Sequence, residues 1–181
     1  LLCISVTIGS AGLSTLEVAK TLVEGITGSM TGTYEHAVVF GLRLHRVLFG
    51  ACAGFGLAIC GVVMQGILRN PLASPFTLGI SSAAAFGASL AIIFGTSFGI
   101  LGESLIIINA FLFTILATVG IYLLTKHRGV TAETMVLAGI LIMYLFSAMT
   151  SFLQFFASAE HNQEIVFWTF GSLSRTNWEK L

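Results

Sequence analysis

Apolar residues run without a charge over Val47–Leu68, Leu78–Ile100, Leu105–Leu124 and Met135–Ala157. Each run matches the roughly 20 helical residues needed to cross a hydrocarbon core of about 30 Å. None alternates in the two-residue rhythm of a barrel strand. Lipid offers no partner to a free backbone N–H or C=O, so helices are predicted. We call these spans B, C, D and E. The opening run, residues 1–8, is too short to cross and lacks the basic flank of a signal peptide. It reads as the tail of an earlier span, A, and the chain as a fragment. The fold class is all-α, a polytopic transmembrane helical bundle.

The polar stretches divide these runs. Residues 14–46 read as a surface helix and loop. Ser14-Thr15-Leu16-Glu17 has the capping-box pattern, and Leu16, Ala19, Val23 and Ile26 then recur at helical spacing. Gly28 and Gly32 are expected to end that helix. The B–C connection, Arg69-Asn70-Pro71-Leu72-Ala73-Ser74-Pro75, holds both prolines of the chain. Each removes a donor and turns its predecessor away from helix, so the chain must break there. The D–E connection, residues 125–131, is short and basic, and Thr131 is an expected N-cap with Glu133 in the first turn. Residues 158–181 form an outer aromatic segment carrying Trp168 and Trp178, suited to a membrane boundary.

Composition sharpens this picture. Hydrophobic residues make up 56% of the chain and charged residues 9%, against about 25% charged in soluble domains. The mean hydropathy is +0.97. So few charges cannot cover a water-facing surface, and the zero net charge gives no basic field for nucleic acid. Cys52 and Cys60 lie about 12 Å apart along one helix, too far for a disulfide. They are expected to be small buried residues in helix packing. The B–C and D–E loops carry Arg69, Lys126 and Arg128, and the opposite side carries Lys20, Arg43, Arg46, Arg175 and Lys180. The raw count and the compact D–E loop point in opposite directions, so charge alone leaves orientation open.

Candidate chemistry is sparse. Gly50, Gly54, Ala58 and Gly61 form a small-residue seam on span B, as close helix packing in lipid requires. Gln65, Asn109 and Gln154 are polar groups inside spans, suited to interhelical bonding or to lining a path. The four histidines lie outside the spans and are expected to be solvated or capping. With no HExxH, CxxC or Walker-type Gly-Lys-Ser/Thr, neither a catalytic nor a metal site is predicted.

Several stretches, in order, carry a resemblance. They are Arg43-Leu44-His45-Arg46, Cys60-Gly61-Val62-Val63-Met64-Gln65-Gly66, Arg69-Asn70-Pro71-Leu72-Ala73-Ser74-Pro75 with Leu78-Gly79-Ile80-Ser81, Leu137-Ala138-Gly139-Ile140, and Phe167 to Leu173 with Trp178. Together they resemble the FecCD-type permease family of ABC importers for iron-siderophores, haem and cobalamin. The resemblance covers nearly the whole chain, and the Gln-(x3)-Arg-Asn-Pro-Leu-Ala stretch is its specific part. It implies a permease of about ten spans per subunit, working with a second permease subunit as a homodimer or heterodimer. It also implies two cytoplasmic ATPase subunits, an extracytoplasmic substrate-binding protein and a location in the cell membrane. No cofactor is expected on this chain, with ATP–Mg bound by the partner subunits. On that template the B–C and D–E loops are cytoplasmic. Arg43 and Arg46 would dock the binding protein, and Thr131, Ala132 and Glu133 would form the cytoplasmic gate. Gly50, Gly54, Ala58, Gly61, Gln65, Asn70 and Pro71 would serve helix packing or the pathway. His45 stands where the family usually has proline, which predicts a less rigid helix start.

Two rival readings differ in class. A secondary transporter driven by an ion gradient would place ionisable groups near the bilayer midplane. Spans B to E contain no Asp, Glu, Lys, Arg or His. An intramembrane enzyme would need a nucleophile beside a base, which the sequence does not offer.

Overall fold

The computed structural model describes residues 2–7, 12–28, 33–95, 102–126 and 131–178. Gly32, residues 96–100 of span C, His127 to Val130 of the D–E loop, and the last three residues lie outside these. Among the described residues there is no strand. Eight α-helices follow in order. They are α1 (Leu2–Thr7), α2 (Thr15–Thr27), α3 (Tyr34–Val38), α4 (His45–Leu68), α5 (Ile80–Gly95), α6 (Gly102–Lys126), α7 (Ala132–Phe156) and α8 (Ala159–Phe170). Two compact units emerge, one of Leu1–Ala58 with Ser172–Leu181, the other of Ile59–Gly171.

In the first unit, Val6, Val18 and Val39 form a small core, with Leu13, Leu22, Phe40, Leu44 and Val47 packed on it. The α2 start follows from its sequence. The Glu17 N–H donates to Ser14 Oγ at 3.3 Å, and the Ser14 N–H donates to Glu17 Oε2 at 2.7 Å. Gly28 ends the helix with φ 76°, its N–H bonded to the Glu24 carbonyl. Next, α3 passes through a π-helical turn, Val39–Leu44, straight into α4. The helical run therefore extends over Tyr34–Leu68, 35 residues, and does not start at Val47. Arg43 and His45 looked like a polar boundary in sequence, but each finds shelter on the helix, as described below.

In the second unit α5, α6 and α7 pack around Ala83, Phe86, Ala117, Ile121, Ala138, Ile142 and Phe146. One aromatic from each helix meets at the centre. Phe86 and Phe113 lie 5.0 Å apart edge to face, Phe86 and Phe146 5.6 Å, and Phe113 and Phe146 6.1 Å. Such offset pairs add to the contact energy beyond area alone. α8 packs back on α5, with Ile165 buried.

Among the described residues, three helical stretches are long and apolar enough to cross a membrane: Tyr34–Leu68, Ser104–Lys126 and Ala132–Phe156. α5 has 16 residues, about 24 Å at 1.5 Å each. It begins at Ile80 and not Leu78, because Pro75–Leu78 forms a 3-10 turn closed by Gly79 at φ 69°.

Candidate functional site

The B–C connection is closed by a set of local hydrogen bonds. The Asn70 N–H donates to the Gln65 carbonyl at 3.2 Å, and Arg69 adopts φ 47°. A 6→1 bond over a left-handed residue is the Schellman closure, here with arginine where glycine is usual. The Gln65 side chain adds a bond from Nε2 to the Pro71 carbonyl at 3.1 Å. Asn70 Oδ1 accepts from the Leu72 N–H at 2.9 Å, and the Ala73 N–H donates to the Asn70 carbonyl at 3.1 Å. The Gln65, Asn70 and Pro71 pattern thus encodes a helix end that satisfies its own carbonyls, as a buried or lipid-side end demands.

The D–E side is capped similarly. The Thr131 N–H donates to Thr134 Oγ1 at 3.0 Å, and the Thr134 N–H donates to Thr131 Oγ1 at 3.3 Å. Glu133 is exposed in the first turn of α7, between half-buried Ala132 and Thr134. Its charge favours the helix N-terminus.

In the first unit, Arg43 Nη1 donates to the carbonyls of Val6 and Thr7 at 3.0 and 3.2 Å. These are orphan acceptors at the C-terminal end of α1, where a cation is favoured. Arg43 Nη2 and Arg46 Nε are buried and have no hydrogen-bond partner among the described residues. His45 corrects its sequence expectation. It is 3% exposed, its ring centroid 5.9 Å from that of Trp178. Trp178 Nε1 donates to the Phe40 carbonyl at 2.9 Å. Phe40 lies in the π-helical turn, where widened spacing re-aims backbone carbonyls, and such turns are frequent at functional sites. Sequence reading placed Trp178 at a boundary but could not show that its indole reaches residue 40.

The span B seam faces no atom of the described chain at most of its length. A Cβ on Gly54 or Gly61 would meet nothing within 4 Å, and one on Gly50 would meet only Leu173 Cδ1 at 3.3 Å. Ala58 is exposed. Cys52 and Cys60 are exposed as well, against the expectation that they are buried. Of the other in-span polar side chains, Asn109 is locally bonded, its Nδ2 donating to the Leu105 carbonyl at 3.1 Å. At Gln154 it is the backbone carbonyl that accepts, from Asn162 Nδ2 at 3.0 Å. An apolar hollow of about 340 Å³ lies along α5 and α7, lined by Phe86, Leu145, Ala148, Met149, Phe152 and Leu153. Among the described residues no group of three His, Cys, Asp or Glu could hold a metal ion.

Comparisons with known proteins bear on the family and the fold. The chain is 40% identical over 179 residues to the molybdate import system permease protein MolB of Haemophilus influenzae, covering 98% of this chain and 52% of that one. It is 37% identical over 142 residues to a probable iron chelatin transport system permease protein of Helicobacter pylori, covering 78% and 41%. A solved metal-chelate type ABC transporter in an inward-facing conformation superposes with TM-score 0.73 at 33% identity, over 98% of this chain and 50% of that one. The chain spans about half the length of these relatives. The profile of the FecCD transport family matches residues 1–181 from end to end, and with three membrane-length helices this chain is a multi-pass inner-membrane protein that belongs to the FecCD transport family.

Proposed function

We propose that this chain forms part of the translocation path of an ATP-driven importer for iron chelates of the siderophore, haem or cobalamin class. The observation that carries the reading is the family match over residues 1–181. It works with a second permease subunit, two ATPase subunits that bind ATP–Mg, and an extracytoplasmic binding protein. No bond is made or broken on this chain. The Thr131–Glu133 turn is the inner gate. Arg43 and Arg46 meet carboxylates of the binding protein, a role that suits the bidentate fork of a guanidinium. The 40% identical relative named for molybdate favours a second reading, in which the cargo is a metal oxyanion.

Uptake decides between them. The full-length permease with its ATPases and binding protein, in proteoliposomes, is expected to accumulate a labelled ferric siderophore, haem or cobalamin in an ATP-dependent way. Accumulation of molybdate alone would replace the chelate with the oxyanion. Uptake driven by an ion gradient without ATP would overturn the importer reading. Topology has its own check. A lone cysteine at Lys126 is expected to react only from the cytoplasmic side, and labelling from outside would invert the orientation.

A further inference from the structure

Two stretches about sixty residues apart in sequence meet in the second unit with no room between them. Gly79 closes the 3-10 turn Pro75–Leu78 with φ 69° and is buried. A Cβ there would lie 2.7 Å from Met143 N and 2.8 Å from the Gly139 carbonyl oxygen. The converse holds for Gly139, where a Cβ would lie 2.7 Å from both Leu78 Cα and the Thr77 carbonyl oxygen. All four of these neighbours are backbone atoms, which cannot swing aside as a flexible side chain can. Leu78 beside them packs on the Phe86–Phe146 core.

This contact extends a chain of fixed groups. The end of α4 is tied to the turn by Gln65, whose side chain holds the Pro71 carbonyl. Asn70 fixes Leu72 and Ala73. Ser74 and Thr77 cap the 3-10 turn. The Gly79–Gly139 contact then joins it to α7, about two helical turns from Thr131. Packed interfaces of this kind shift between discrete arrangements and do not deform smoothly.

From this we infer that the Arg69–Gly79 connection and the first turns of α7 move as one rigid piece, with Gly79 and Gly139 as positioning residues for the Thr131–Glu133 turn. The inference rests on the reading of that turn as the inner gate. The B–C connection is then part of the gate's mounting, so its position sets the gate's position. Neither glycine touches cargo. Both act through the α7 backbone.

The test uses the full-length permease assembled with its ATPases in lipid nanodiscs, on a cysteine-free background. Spin labels at Leu72→Cys and Leu137→Cys, both exposed positions, report the distance across the piece. A label at Glu133→Cys, paired with one at the matching turn of the second permease subunit, reports the gate-to-gate distance between subunits. The Leu72–Leu137 distribution is expected to be the same without nucleotide and with ATP trapped, while the Glu133 distance changes. A nucleotide-dependent Leu72–Leu137 distance overturns the inference. An unmoving Glu133 label overturns the gate reading instead. Gly139→Ala is expected to shift the Leu72–Leu137 distribution in nanodiscs and, in proteoliposomes with the binding protein, to lower uptake about tenfold through overpacking. Gly139→Ala with native distances and native uptake also overturns the inference.

Discussion

Along α4, Gly54, Gly56, Gly61 and Gly66 stand where an added methyl would touch nothing within 4 Å. In the packed helices of the second unit, Gly79, Gly87 and Gly139 stand where it would come within 2.7 Å of a neighbouring segment's backbone. The two sets read alike in sequence, as small residues at helical or turn positions. A small residue says that something can approach the backbone closely, and it does not say what. Around α5–α7 the approaching group is this chain's own backbone. Along α4 it is no described part of the chain, and Phe55, Val62 and Ile67 on that helix are exposed in the same way.

Substitutions separate the two sets, and the largest effect is expected at Gly79. Alanine there combines a left-handed φ with a backbone clash, together costing about 3 kcal/mol. The drop would be read from unfolding of the purified chain in mixed micelles, and an unchanged midpoint would show that α7 yields freely. Gly87→Ala faces the Asn109 carbonyl oxygen at 2.5 Å, without a φ penalty, and should cost about 2 kcal/mol in the same assay. Trp178→Phe keeps the ring and loses the bond to the Phe40 carbonyl, for about 1 kcal/mol. Its signature is faster amide exchange confined to residues 39–44.

Gly54→Ala gives the smallest shift and the sharpest contrast. In the 181-residue chain it should raise stability by about 0.5 kcal/mol, because alanine restricts the unfolded state and meets no clash. In the assembled full-length transporter the same change should destabilise if another helix lies on this face. A sign that stays positive in both contexts would mean that lipid alone covers α4.

Capping was legible where it is most local, as Ser14 with Glu17 and Thr131 with Thr134 sit three residues apart and residue types alone constrain these bonds. Gln65 was not: it reads as an in-span polar group for interhelical bonding or a path, and its side chain instead holds the Pro71 carbonyl of the next turn. The Glu17 carboxyl is held below its ordinary value of 4.5 by the Ser14 backbone N–H, then by the Ser14 hydroxyl. A lowered folded value means that the stabilisation is present above the unfolded value and is lost as pH falls through the folded one. Protection of the amides at the start of α2, taken relative to the intrinsic exchange rate at each pH, should therefore fall on acidification below about pH 4.5. Glu17→Gln should remove that dependence, and Ser14→Ala, which keeps the backbone N–H, should only weaken it.

What the sequence hid was non-local. The Gly79–Gly139 contact joins stretches that both carry the family resemblance, yet nothing in either names the other as its partner. The bond from Trp178 to Phe40 spans 138 positions. His45 misled for a different reason. A polar residue beside two arginines reads as the wet end of a span, whereas the structure packs the His45 ring against Trp178, a non-local contact in the sequence. The exposure of Cys52 and Cys60 was equally hidden, since sequence gives the periodicity of α4 and not the occupants of its faces.

The π-helical turn at Val39–Leu44 carries one residue more than an α-helix would need for the same stretch. It therefore absorbs phase, its residues covering about the rotation that one fewer would cover in an α-helix. Removing one residue within it would let a regular α-helix take the stretch with the flanking faces at nearly the same azimuth. The change would fall on the carbonyls that the wider turn re-aims, first on that of Phe40, which accepts the Trp178 indole N–H. A deletion in the regular helix outside residues 39–44 would instead rotate everything on its N-terminal side by about 100°.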